Sequence, residues 1–99
     1  MALGGHTLIV KRHGHGHHAQ TEHFDHEKMH KSIVAACLSC GVPAGHAESI
    51  ARHITEEVEA WLEKRPEVTS EDLRRIATQY LKTHHPDAAY LYEHHRSTL

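Results

Sequence analysis

The sequence predicts an α+β domain: a four-helix bundle capped at one end by a small three-stranded sheet, in the order β-β-α-α-β-α-α. Three observations carry this. Apolar residues recur at helical spacing from about Ala44 to Lys64, with Glu48, Arg52, Glu56, Glu59 and Glu63 on the opposite face, the mark of a long helix with one buried stripe. Helix start and stop signals frame three further segments. Finally, the β-rich runs are too short to stand as an independent sheet and need helices to cover them.

Residues 1–6 read as a loose leader and 97–99 as a tail, with one domain over 7–96. Thr7 to Arg12 is β-rich and forms the first strand. His13 to Thr21 holds glycines and closely spaced histidines and reads as a long insertion at a hairpin tip. Glu22 to Phe24 is the returning strand. Asp25 is a good N-cap for the first helix, with Glu27 in its first turn. Met29, Ile33, Ala36, Cys37 and Cys40 follow at helical spacing, and Gly41 ends the helix as its C′ residue. Val42 to Gly45 connects, and Pro43 suits the first turn of the second helix, whose stripe is Ile50, Ile54, Val58, Trp61 and Leu62. Pro66 stops it, Glu67-Val68-Thr69 forms a short strand, and Ser70 caps the third helix with Glu71 and Asp72 in the first turn. Leu73, Ile76, Ala77, Tyr80 and Leu81 are its apolar positions. Pro86 starts a fourth helix, with Ala89, Leu91 and Tyr92 as core candidates.

A chain of 99 residues is one domain at most, and with 38% apolar residues it buries a modest core. A formal net charge of −2 argues against a general nucleic-acid binder. The 14 histidines make charge depend on pH. Free imidazoles titrate near pH ~6.5, so going from about pH 7 to 6 adds roughly seven positive charges. No apolar run is long enough to span a membrane and no secretory signal is visible, so a cytoplasmic location is expected. Two cysteines three apart do not form a disulfide scaffold.

The chemistry concentrates between Val10 and Lys28. An apolar strand ends on Lys11 and Arg12, the chain turns, and it returns through Glu22 and Phe24 to a helix start at Asp25, with Lys28 in the first turn. Three cations, a carboxylate and a helix N-terminus in one small region suit a polyphosphate. Val10 and Phe24 are apolar enough to sandwich a base. A second helix N-terminus at Ser70 offers a hydroxyl and further N–H groups, with Arg74 one turn on.

The order of short motifs is recognisable. Val-Lys-Arg-x-Gly, Glu-x-Phe-Asp-x-x-Lys, Ser-Ile, a Gly-Val-Pro connector, Ile-Ala-x-x-Ile-x-x-x-Val-Glu, Val-Thr-Ser-x-x-Leu and Pro-x-x-Ala-x-x-Tyr together resemble the ATP-cone family over about Leu8 to Arg96. The resemblance implies a four-helix bundle covered by a three-stranded mixed β-sheet. It implies a regulatory module that binds ATP or dATP, as in ribonucleotide reductases and the transcriptional repressor of their genes, with nucleotide controlling oligomeric state. Matched by position, the nucleotide-binding residues would be Val10, Lys11, Arg12, Glu22, Phe24, Asp25, Lys28, Ser70 and Arg74. Glu22 and Asp25 would lie around the adenine. Ser70 and Arg74 would face the phosphates, Arg74 standing where some members carry histidine. Mg²⁺ is expected to bridge the phosphates. The expected role is a stand-alone sensor that changes self-association or the activity of a partner such as a ribonucleotide reductase or its regulator. The chain departs from the family pattern where His13 replaces the usual aspartate and the hairpin tip is several residues longer.

That tip, with His13, His15, His17 and His18, is a candidate site for Ni²⁺, Zn²⁺ or Cu²⁺, since neutral imidazole ligates all three. It supports a competing reading, a metal-binding protein on the same scaffold; a third is a cone acting only in oligomerisation. His26 and His30, four apart, have workable two-ligand spacing. His84, His85, His94 and His95 read as solvent-facing or as partners of helix C-termini. Cys37 falls on the apolar stripe and reads as core despite its Cys-x-x-Cys spacing to Cys40. Tyr90 and Tyr92 are candidates for a self-association face. No phosphate-binding lysine loop or catalytic triad stands out, and no enzymatic activity is expected.

Overall fold

The computed structural model describes residues 7–11 and 20–94. Its elements are β1 (Leu8–Lys11), β2 (Gln20–His23), α1 (His26–Ser39), α2 (Ala44–Leu62), β3 (Glu67–Thr69), α3 (Ser70–His84) and α4 (Pro86–His94). The order is the expected one, and the fold is a four-helix α+β domain with a mixed three-stranded sheet. In that sheet β1 lies in the centre. It pairs antiparallel with β2, Leu8 opposite His23 and Lys11 opposite Gln20. It pairs parallel with β3, Ile9 opposite Val68 and Val10 opposite Thr69. The leader and tail assignments, Arg12 and the histidine-rich tip from His13 to Ala19 lie outside the described residues.

Local chemistry explains most boundaries. Asp25 sits in extended backbone and its Oδ1 accepts from the Lys28 backbone N–H at 3.2 Å, so it caps α1. Gly41 closes the other end with φ +82°, a left-handed conformation that favours glycine. Pro43 is the N-cap of α2 rather than its first helical residue. The helix ends at Leu62, before Lys64, and a turn at Glu63 and Lys64 leads to Pro66. There Thr7 acts as a staple: its buried hydroxyl donates to the carbonyls of Leu62 at 3.2 Å and Arg65 at 2.8 Å. The Leu8 N–H donates to Pro66 O at 2.9 Å. The start of the central strand is thereby tied to the end of α2.

Two further assignments need correction. β2 begins at Gln20, earlier than expected, because Thr21 and Gln20 complete the ladder opposite Val10 and Lys11. The cap of α3 is Thr69, not Ser70: the Thr69 hydroxyl accepts from Asp72 N–H at 3.0 Å, and Ser70 is the first helical residue. Both hydroxyls lie within reach of the helix start in the sequence, but Thr69 is the one held in extended backbone by the parallel ladder.

The core runs between the helices and under the sheet. Ile33, Cys37, Ile54, Val58, Leu62, Ala77 and Leu81 have no exposed surface, and Ile9, Phe24, Val68 and Leu73 carry the core up to the strands. Trp61, Tyr80 and Leu91 pack at its edge. Burial pushes the Cys37 thiol up, and nearby Cys40 adds to this, which is the behaviour of a core cysteine. Tyr92 also belongs to the core, 2% exposed, so it is not part of a self-association face; Tyr90, 63% exposed, is at the surface against His94. The helical period separates these neighbours in sequence.

Candidate functional site

A cleft opens where the hairpin meets α1 and α3, lined by Ile9, Glu22, Phe24, Asp25, Lys28 and Leu73, with His23 and Met29 completing it. Sequence spacing explains the convergence. Phe24 leaves the end of β2 with its N–H on Thr7 O at 3.0 Å, which turns its ring into the core. Asp25 caps the next helix, and Lys28 follows one turn later beside Glu22. Lys28 Nζ stands 3.3 Å from Glu22 Oε1, with both side chains more than a third exposed. The floor (Ile9, Phe24, Met29, Leu73) is apolar and buried, while the rim is charged. Such a division suits a ligand with a flat apolar part and a charged part.

Four of the expected site residues, Glu22, Phe24, Asp25 and Lys28, therefore meet in one place. Val10 is buried in β1 beside Thr69, one strand position from the Ile9 floor. Lys11 closes β1, paired with Gln20, and Arg12 lies outside the described residues. Ser70 opens α3 directly after the Val10–Thr69 pair, and its hydroxyl makes no hydrogen bond among the described residues. Arg74 is half-buried one turn further along α3. Its Nε is buried without a hydrogen-bond partner, and its guanidinium is near enough to Tyr92 to favour the phenolate there. Burial outweighs that influence, and the Tyr92 phenol is pushed well above its ordinary value. The Tyr92 hydroxyl is buried without a hydrogen-bond partner within bonding geometry, and the nearby Ser32 hydroxyl donates to Met29 O at 2.9 Å.

The histidines settle differently from their sequence reading. His26 and His30 stack, ring centroids 6.4 Å apart, but they serve separate carboxylates: His26 Nδ1 lies 3.0 Å from Glu59 Oε1, and His30 Nε2 2.5 Å from Glu48 Oε2. They join α1 to α2 rather than sharing an ion. His85 is no C-terminal dipole partner in the simple sense. Its Nδ1 accepts from Ala88 N–H at 3.1 Å and caps α4. His84 faces Glu57 of α2. The expected metal ligands His13, His15, His17 and His18 lie outside the described residues.

The fold and this cleft define a small α+β binding module, with a charged rim over an apolar floor at the junction of a hairpin and two helix starts. A family profile described as the ATP cone domain matches residues 8–97, nearly the whole chain. The chain belongs to the ATP-cone family, and as such is a nucleotide-binding regulatory module. No significant match is found among curated proteins or among solved structures. Among the described residues, no helix is long and apolar enough to cross a membrane.

Proposed function

We propose that this module senses ATP or dATP in the cleft between the hairpin and α1, and that binding changes its self-association or the activity of a partner. A link to ribonucleotide reduction follows the family. The observation that carries the reading is the convergence of Glu22, Phe24, Asp25 and Lys28 on one cleft in a member of a nucleotide-binding family. The described walls enclose only about 20 Å³, room for about one water. A nucleotide therefore lies across the rim, with its base over the Phe24 edge and its phosphates toward Lys28; the family resemblance adds Lys11 and Arg12 to the phosphate-binding set. Val10 shapes the floor from β1. Ser70 and Arg74 approach the phosphates from α3, where the uncapped Ser70 hydroxyl and the free N–H groups of the first turn supply donors.

Mg²⁺ fits this scheme only as a companion of the phosphates. Asp25 is engaged in capping and Glu22 in the pair with Lys28, so neither carboxylate is set aside for a cation. A Mg²⁺ ion carried mainly by phosphate oxygens and water is the ordinary arrangement for such ligands.

Native mass spectrometry of the full chain with ATP, dATP and ADP, each with Mg²⁺, tests both halves of the proposal by counting bound nucleotides and subunits together. Binding of the triphosphates with a change in subunit number, or in a partner's activity, supports it. An intact fold with no affinity tighter than about 1 mM for any of the three overturns it.

A further inference from the structure

His53, Glu57 and His84 form a cluster on the side of the bundle formed by α2 and α3, assembled from two helices. His53 and Glu57 are one turn apart on α2, and His84 is the last residue of α3. Their nearest ligand atoms all lie within 4.8 Å of one another. His53 Nε2 stands 3.4 Å and His84 Nε2 3.8 Å from the same oxygen, Glu57 Oε1. The two rings meet edge to face with centroids 4.9 Å apart.

This arrangement is poorly explained as hydrogen bonding alone. Glu57 Oε1 is shielded from solvent and has no hydrogen-bond partner, although two imidazole nitrogens face it. The Glu57 side chain as a whole is 37% exposed, but the shielded oxygen gains neither water nor a donor, which leaves it room for a cation. An ion between the three groups supplies the missing partner. The spacing also fits: tetrahedral zinc with bonds of about 2.0–2.2 Å holds its ligand atoms about 3.4 Å apart. The 3.4 Å separation already matches, the 3.8 Å one requires closure by tenths of an ångström, and the separation between the two histidine nitrogens, within 4.8 Å, closes furthest on binding.

We infer that His53, Glu57 and His84 bind a divalent transition metal ion, with Zn²⁺ the best fit, as a two-histidine, one-carboxylate site. His53 and His84 also line a shallow cleft with His46, Ser49 and Glu56, so the remaining coordination position is open to water. Arg52 borders the same cleft, opposite in sign to Glu56. Mixed imidazole and carboxylate ligation selects Zn²⁺ and its neighbours over Mg²⁺ or Ca²⁺, which prefer oxygen. The ion joins α2 to the C-terminal end of α3, whose N-terminal end abuts the sheet. It is independent of the nucleotide reading.

The histidine-rich tip would confuse a simple titration, so the test uses the full chain carrying His13→Ala, His15→Ala, His17→Ala and His18→Ala. Calorimetry with Zn²⁺ on this chain is expected to show one ion per chain at micromolar Kd. A thermal rise of about 10–20 °C is expected at 100-fold excess over Kd. Adding His53→Ala and His84→Ala weakens binding at least tenfold. Glu57→Gln, which keeps the side-chain shape, does the same with unchanged circular dichroism. Co²⁺ in place of Zn²⁺ gives the intense visible bands of a low-coordinate site, lost in both variants. The inference is overturned if the four-alanine chain takes up no Zn²⁺ at micromolar concentration, or if binding survives the His53 and His84 substitutions undiminished.

Discussion

Lys28→Ala separates ligand binding from folding. The Lys28 ammonium meets Glu22 at 3.3 Å, with the two side chains 38% and 44% exposed. An ion pair so open to solvent contributes about 0–1 kcal/mol. The backbone N–H of Lys28, which holds the Asp25 cap at 3.2 Å, is untouched by the change. Alanine is also the better helix former by a few tenths of a kcal/mol. Stability therefore changes by about 0.5 kcal/mol or less, roughly 2–4 °C in Tm. Binding behaves otherwise. A charge-assisted hydrogen bond from Lys28 to a phosphate is worth about 1.5–3 kcal/mol, and losing it raises Kd about 10- to 150-fold. Calorimetric titration with Mg-ATP and thermal unfolding, run on both chains, give the two numbers. An unchanged Kd refutes the placement of phosphate at Lys28. A stability loss above about 2 kcal/mol refutes the claim that the pair is a weak surface contact.

Other substitutions test the architecture. Thr69→Ala removes the α3 cap and costs about 1 kcal/mol, while Ser70→Ala stays within about 0.5 kcal/mol; urea unfolding of the two variants distinguishes the true cap. Ile54→Ala empties a position with no exposed surface and costs about 2–5 kcal/mol, seen as a lower urea midpoint with unchanged slope. Tyr92 makes a signed prediction about pH. Its phenol is raised in the folded state by burial, so above about pH 10, where the unfolded phenol ionises, the folded state binds more protons. Stability from this group is complete below about pH 10 and falls as pH rises further, by up to about 1.4 kcal/mol per pH unit. Tyr92→Phe removes this decline and, because the hydroxyl has no partner, is neutral or stabilising near pH 7. A wild-type-like alkaline slope in Tyr92→Phe contradicts the assignment.

Much of the fold was legible because its signals are local. The Asp25 cap, the Gly41 stop and the α2 stripe are each written within a few residues, and they appear where the spacing places them. The cleft was legible for the same reason: Glu22, Phe24, Asp25 and Lys28 are near neighbours in the sequence, and a strand end followed by a helix start folds them together. What escaped depended on tertiary partners. Ser70 and Thr69 are equally plausible caps until the parallel ladder fixes Thr69 in extended backbone. His84 looked like a helix-end histidine until α3 was laid beside Glu57. The i, i+4 spacing of His53 and Glu57 was the available signal for that cluster, but only packing supplies the third member.

The position of β1 shows how a ligand at the hairpin can reach the bundle. As the central strand it is bonded on one side to β2, which leads into Phe24, Asp25 and Lys28, and on the other to β3, which leads into Thr69 and α3. Its start is held by Thr7 and Leu8 to the end of α2. A ligand that draws Lys28 from Glu22 acts on α1 at its first turn, and one that engages Ser70 acts on α3 at its first turn. Both helices pack on α2 and α4 in the shared core, and β1 with the Ile9–Leu73 floor adds the link on the sheet side, next to the cleft. Coupling of this kind needs no long path: it requires that the rim contacts differ between bound and free forms and that α1 and α3 respond together. Glycine at Ile9 would weaken that link while leaving the charged rim in place. Ile9→Gly is thus expected to reduce the nucleotide-dependent change in assembly more than it reduces nucleotide affinity. Native mass spectrometry across a nucleotide titration measures both, and equal losses of the two would show that the strand only supports the site.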